Sequence, residues 1–249
     1  MRAPNSGERW QDESEAEEYV GTDVFDDLAA EKGRLRRTSA VHQVVELLRE
    51  HITAGALAPG TQLSEEALGT ALGVSRNTLR ESFRLLADQR LVVHEMNRGV
   101  FVRVLNADDV ADIYVLRRAL ESAGIQAAVS APPERIAVLR TAVEHGEAAR
   151  DAGDWVAVGT ADLDFHVGVA GLTGSERVDE AMRRLLAELR LAFGAMPSAE
   201  ALHAPFLRRN RILVELLAEG KIAEADAELT SYLDDACRRI VETARMAGC

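Results

Sequence analysis

Two groups of residues in this chain combine chemical types at spacings that can do work. The first occupies ten positions and the stretch just after them: Ser75, Arg76, Asn77, Thr78, Arg80 and Arg84, then Arg98 and Gly99. Arginine forks and asparagine amides pair with the edges of guanine and adenine, while hydroxyls and backbone amides take phosphate, so this set suits reading a DNA groove. The second group is spread through the rest of the chain: Arg117, Asp162, His166, Asn210 and Tyr232. Asp162 and His166 stand four residues apart, hence one above the other on a helix face. A carboxylate with an imidazole can ligate a divalent ion or exchange protons. With a guanidinium, an amide and a phenol nearby, the same group can hold a polar small molecule.

The first set requires a helix, a tight turn and a second helix. Ser64 can cap the first of these, and Leu68 and Leu72 give it an apolar stripe. Gly73 stands where that helix must stop, since glycine takes a left-handed cap without penalty. Val74 plugs the corner, and Ser75 can cap the second helix. There Leu79, Phe83 and Leu86 share one face, which turns Arg76, Asn77, Arg80 and Arg84 away from the packing side. Residues 91–94 follow as a strand, Asn97-Arg98-Gly99 as a turn, and 100–104 as an alternating second strand. Glycine at the tip lets the backbone approach a groove closely, with Arg98 beside it for phosphate or the minor groove. Upstream, a helix over about 39–54 carries Val41, Val44, Val45, Leu48 and Ile52 on one stripe, and Pro59-Gly60 forms a turn.

Residues 41–104 resemble the winged helix-turn-helix of the GntR family of bacterial repressors. The resemblance rests on the ordered series Gly55-Ala56-Leu57-Ala58-Pro59-Gly60, Leu63-Ser64-Glu65, Leu72-Gly73-Val74-Ser75-Arg76, Leu79-Arg80-Glu81 and Asn97-Arg98-Gly99-Val100-Phe101-Val102. It implies that Arg76, Asn77, Thr78 and Arg80 contact DNA and that Gly99 lies in a groove. Ser75, Arg84 and Arg98 complete the expected DNA-binding set. Two positions depart from the family pattern: Glu66 stands where arginine is frequent, and Thr78 where many relatives carry proline.

Beyond residue 105 only helical periodicity remains, with predicted helices at 107–130, 133–151, 154–172, 175–196, 205–219 and 222–246. Several apolar stripes contain polar members. Arg117 lies with Val110, Ile113, Leu120 and Gly124; Asp162 and His166 with Val158, Phe165 and Val169; Asn210 with Phe206, Leu213 and Leu217; Tyr232 with Leu229, Leu233, Ala236 and Ile240. Four helices thus aim polar groups into one interior, which predicts a ligand cavity, with Glu121 as a rival partner for Arg117. This half resembles the C-terminal effector domain of the FadR-type subgroup, known as FCD, through Arg117-Arg118-Ala119-Leu120-Glu121, Ala127-Ala128, Asp162-Leu163-Asp164-Phe165-His166 and the helix pair around Asn210 and Tyr232. In that family an aspartate and three histidines commonly hold a metal beside a small carboxylate effector. Asp162 and His166 match the first two ligands, whereas Asn210 and Tyr232 replace the other histidines. The expectation is a pocket without a cofactor or metal, in which His166, Asn210 and Tyr232 bond the effector and Arg117 takes its anionic group. The alternative is a weakly bound divalent metal at Asp162, His166 and Asn210.

These pieces define a mainly α chain: an acidic, disordered tail over 1–37, a winged helix-turn-helix over 38–104, and an all-α helical-bundle effector and dimerisation domain over 105–249. The net charge of −12 is unevenly divided, with 6 basic and 10 acidic residues in 1–37, 7 of each in 38–104, and 16 and 24 in 105–249. Every lysine-or-arginine position of the middle segment is arginine. Repulsion from the acidic remainder disfavours non-specific DNA binding and leaves selectivity to base contacts. Cys237 and Cys249 alone imply no disulfide framework, no apolar run spans a bilayer, and the acidic start is no signal peptide, all of which point to the cytoplasm. The reading that follows is a ligand-responsive repressor, not an enzyme, binding double-stranded operator DNA as a homodimer and releasing it to a small organic acid, without contact to a membrane. A metal-dependent enzyme built on Asp162 and His166, or an architectural DNA-binding protein whose helical domain only dimerises, are the alternatives.

Overall fold

The computed structural model describes residues 32–194, 196 and 198–246, so the expectation of an acidic disordered tail falls, through residue 31, outside the described residues, as does Cys249. Among the described residues are nine α-helices and one two-stranded sheet. The DNA-binding segment comprises α1 (Lys32–Thr53), α2 (Glu65–Leu72), α3 (Arg76–Asp88), β1 (Val92–Glu95) and β2 (Gly99–Val102). The helix-turn-helix forms for the reasons its sequence supplies. Ser64 accepts from the Ala67 amide, Gly73 takes the left-handed conformation at φ 64°, and Ser75 accepts from the Thr78 amide. Leu79, Phe83 and Leu86 are fully buried against α1, whose Val41, Val44, Val45, Leu48 and Ile52 are also buried. Helix α1 opens at Lys32, seven residues before Ser39, so Lys32 to Arg37 belong to a helix and not to the preceding tail.

The hairpin pairs Val92 with Val102 and Glu95 with Gly99, antiparallel. A third extended segment lines its edge. The Leu63 amide donates to Val100 O and the Gly60 amide to Val102 O, both at 2.8 Å, and the Val102 amide donates to Thr61 O at 2.9 Å. The sequence shows only the Pro59-Gly60 turn here, because a single bridge, Gln62 to Phe101, is too short to leave an alternating pattern.

The helical domain contains α4 (Ala107–Ala127, closed by a 3₁₀ turn Ala128–Ser130), α5 (Pro133–Asp151), α6 (Trp155–Gly171), α7 (Glu176–Phe193), α8 (Ala199–Ala218) and α9 (Ile222–Met246). Asn106 and Asp109 close a capping box at the start of α4. Helix α8 corrects the sequence reading. Proline at position 205 suggests a first helical residue, but Ser198 accepts from the Ala201 amide and starts the helix at Ala199, leaving Pro205 inside it. Helix α6 is central, packing on α4, α5, α7 and α8, while α4 also packs along α9. At Gly124 the α4 backbone lies so close to α6 that a Cβ there would run into the Val169 carbonyl. That approach sets the polar members of α4 against those of α6.

Candidate nucleic-acid interface and buried polar site

On the DNA-binding face, Arg76, Asn77, Arg80 and Arg84 are exposed along α3, and Arg98 and Gly99 are exposed in the hairpin turn. Ser75 and Thr78 are placed differently from their neighbours. Ser75 Oγ accepts from the Thr78 amide at 3.1 Å, and the two hydroxyls lie 2.9 Å apart, so both are engaged in starting the helix. Three arginines face carboxylates: Arg80 with Glu65, Arg84 with Glu81, and Arg98 with Glu95. The hairpin turn is built by two residues in the left-handed region, Asn97 at φ 62° and Gly99 at φ 107°. Gln62 Nε2 donates to the Arg98 carbonyl at 2.7 Å and braces that turn from the third strand segment, a contact the sequence reading did not contain.

The five residues expected in the helical domain do converge on one interior. Arg117, His166, Asn210 and Tyr232 are each no more than 2% exposed, and the Asp162 side chain 13%. They form a connected array. Arg117 Nε donates to Glu121 Oε1 at 2.9 Å, and His166 Nδ1 lies 2.5 Å from Glu121 Oε2. Asp162 Oδ1 accepts from Asn210 Nδ2 at 2.7 Å and from the Tyr232 hydroxyl at 2.8 Å. Tyr232 stands edge-on to the His166 ring at 4.9 Å, and the Arg117 guanidinium lies 4.8 Å from the Tyr114 ring centroid. Glu121 therefore takes one side of Arg117, but three atoms stay buried without a hydrogen-bond partner: Arg117 Nη2, His166 Nε2 and Asn210 Oδ1. Orphaned polar atoms so deep in a fold are costly.

Electrostatics keep the two carboxylates of this array ionised. Burial works against the Glu121 carboxylate, but His166 and Arg117 outweigh it and hold its pKa below the ordinary value. Burial likewise opposes the Asp162 charge, and His166, His203, Asn210 and Tyr232 together reverse the effect. Burial and the adjacent Asp162 push the Tyr232 phenol well above its ordinary pKa, so it stays protonated and donates.

His203 is the residue that sequence reasoning missed. It lies on α8, 5% exposed, with Nδ1 3.9 Å from Asp162 Oδ2, and burial depresses its pKa. Gly159 makes room for it, since a Cβ there would stand 2.5 Å from His203 Nε2. Its signal is a spacing of two helical turns before Asn210, which a helix starting at Pro205 hides. His166 Nε2 also stands 3.9 Å from Asp162, on Oδ1. One carboxylate thus sits between two imidazoles, with Oδ1 already accepting two hydrogen bonds. Among the described residues no group of three or more His, Cys, Asp or Glu is arranged to hold a metal ion. The residues present fit a hydrogen-bonded array better than a tetrahedral or octahedral metal centre.

The far side of His203 lines a cleft of about 160 Å³ between the two domains, together with Thr53, Pro59, Trp155, Arg190 and Phe193. Arg190 spans this seam. Its Nε donates to the Thr53 carbonyl at the end of α1, and its Nη2 donates to Thr160 Oγ1 on α6 at 3.0 Å, two residues before Asp162. Arg103, just after the hairpin, makes a second tie through 2.5 Å bonds to Glu188 on α7 and Asp109 on α4.

Comparison with known proteins supports both halves. Residues 40–102 match the model of the bacterial regulatory proteins of the gntR family, and residues 112–235 match the FCD domain. The Nta operon transcriptional regulator of Aminobacter aminovorans is 30% identical over 195 residues, covering 76% of this chain and 89% of that protein. The solved structure of a GntR transcriptional regulator from Rhodococcus sp. RHA1 is 41% identical with a TM-score of 0.77, covering 82% of this chain and 98% of the other. Escherichia coli McbR/YncC, at 18% identity and a TM-score of 0.69 over 82% of this chain and 97% of its own, shares the fold. No helix among the described residues is long and apolar enough to cross a membrane.

Proposed function

Because the chain belongs to the GntR family of bacterial transcriptional regulators and carries an FCD domain, we propose that it is a repressor whose hold on operator DNA is set by a small organic acid bound at the Arg117–Asp162–His166 array. The family consists of DNA-binding regulators, which removes the enzyme reading of Asp162 and His166. The observation that carries the ligand proposal is the trio of buried, unpartnered atoms: Arg117 Nη2 offers a donor to a carboxylate, and His166 Nε2, with Nδ1–H directed at Glu121, and Asn210 Oδ1 accept from a hydroxyl or amine on the same molecule. The ligand binds without a metal, because Asn210 and Tyr232 occupy Asp162 Oδ1 as hydrogen-bond donors. DNA binding is by a homodimer on an inverted repeat, since one winged module reads few base pairs and two-fold symmetry demands matched half-sites. Such a dimer works in the cytoplasm, where the chromosome is. Entry of the ligand redistributes the partners of Asp162, shifts α6, and reaches the DNA-binding domain through Thr160, Arg190 and the Thr53 carbonyl.

The test is calorimetric titration of the full chain with a panel of two- to six-carbon mono-, di- and hydroxycarboxylates, followed by DNA-binding anisotropy with each binder. At least one acid binds saturably and weakens operator binding. The Arg117→Met, Glu121→Gln double variant removes the buried pair together and so leaves no lone charge. It is expected to fold and to lose the acid at least tenfold. A folded double variant with full acid affinity and an unchanged DNA response would refute the site.

A further inference from the structure

The three arginine–carboxylate pairs on the DNA-binding face are not alike. Arg84 and Arg98 meet Glu81 and Glu95 three residues away on their own segments, each through a terminal nitrogen, Nη1. Arg80 meets Glu65 across fifteen residues, from the recognition helix α3 to the first turn of α2, through Nε. Both carboxylate oxygens share that one N–H, at 2.9 and 3.2 Å. Among the described residues nothing hydrogen-bonds Arg80 Nη1 or Nη2, and the side chain is 70% exposed. Glu65 is anchored better, 31% exposed and placed in the first turn of α2, where the helix N-terminus favours a carboxylate.

We propose that Glu65 is a specificity-determining residue which, by holding Arg80 at Nε, presents the free Nη1–Nη2 end of the guanidinium to a guanine in the operator. An arginine can grip the O6 and N7 of guanine with either its Nε–Nη edge or its Nη–Nη end. With Nε committed to Glu65, only the end remains, and a flexible four-bond side chain becomes a fixed fork. An ion pair this exposed adds little to stability, so its geometry is the more informative property. The carboxylate also opposes phosphate, so it lowers non-specific affinity while raising discrimination. Glu81 and Glu95 differ in kind. They occupy the terminal nitrogens of Arg84 and Arg98, and DNA must displace them.

The proposal rests on Arg80 reading a base, and the experiment separates the two. Duplexes selected from a random library by the full-length wild-type chain give the preferred half-site. Arg80→Ala identifies the base pair at which preference collapses; if none does, Arg80 reads no base and both statements fail. If one does, Glu65→Gln is measured at that position and on random duplex. The expected result is a loss of about tenfold or more in preference for guanine at that one pair, within the range of a bidentate contact, with tighter binding to random duplex. The Glu65→Gln, Arg80→Ala double variant should discriminate no worse than Arg80→Ala alone. Equal tightening on selected and random DNA, with guanine preference intact, would show Glu65 to be only a repelling charge and overturn the proposal. Should Glu65→Gln lack a cooperative melt, Arg80→Lys supplies the second arm. It keeps the charge facing Glu65 but has no fork, and it should relax the same base pair alone; relaxation spread over the whole half-site overturns the assignment.

Discussion

Asp162 accepts from Asn210 and from Tyr232 on the same oxygen, and that shared atom marks where side chains of α8 and α9 meet those of α6. Imidazoles in place of the two donors would surround Asp162 together with His166, giving three nitrogens and a carboxylate, a set suited to zinc. The Asn210→His, Tyr232→His variant is therefore expected to retain near-stoichiometric zinc through desalting, by elemental analysis of untagged protein, where the parent retains little. A folded variant that binds no zinc would mean that the four positions do not converge. The convergence itself was legible in the sequence, because a polar residue on an apolar stripe has nowhere to go but inward. Two of the partnerships were not. Glu121 bridges Arg117 and His166 at once, and spacing on α4 predicts only the first of these. His203 was lost to a proline that resembles a helix start and is not one.

Helix boundaries were easiest to read where a cap carried the chemistry. Ser64, Gly73 and Ser75 fix the helix-turn-helix through hydrogen bonds and one left-handed residue, all local in sequence. Packing distance between helices leaves no such local trace. Gly124 sits on an apolar stripe like any small residue, yet it alone lets the α4 backbone reach the Val169 carbonyl of α6. Gly124→Ala must push the two helices apart, and overpacking of this kind costs about 1–3 kcal/mol. The expected measurement is a lower denaturant midpoint at unchanged m-value. The same displacement should stretch the Glu121–His166 contact and weaken acid binding in the folded fraction. A variant as stable as the parent would show that the backbone approach is looser than drawn.

At the scale of the whole molecule the two domains are tied by few polar contacts, and Arg190 touches both the end of α1 and the helix that carries Asp162. Arg190→Met keeps the stem and removes the donors. It is expected to leave acid affinity within a few-fold of the parent, while the acid-induced loss of operator binding, ordinarily about 5- to 150-fold for coupled sites, shrinks to near unity in anisotropy titrations. An unchanged response would move the coupling to Arg103 and its bonds to Glu188 and Asp109. A tie of this sort has no inherent direction. On the function proposed above, thermodynamic linkage requires operator DNA to weaken acid binding by the same factor by which the acid weakens operator binding. On that proposal the seam makes the protein a counter of its own targets: each added copy of the operator holds regulator in the form that senses the acid least, so the acid needed to occupy half the regulator rises, while the free pool falls and less acid is needed to free any one gene.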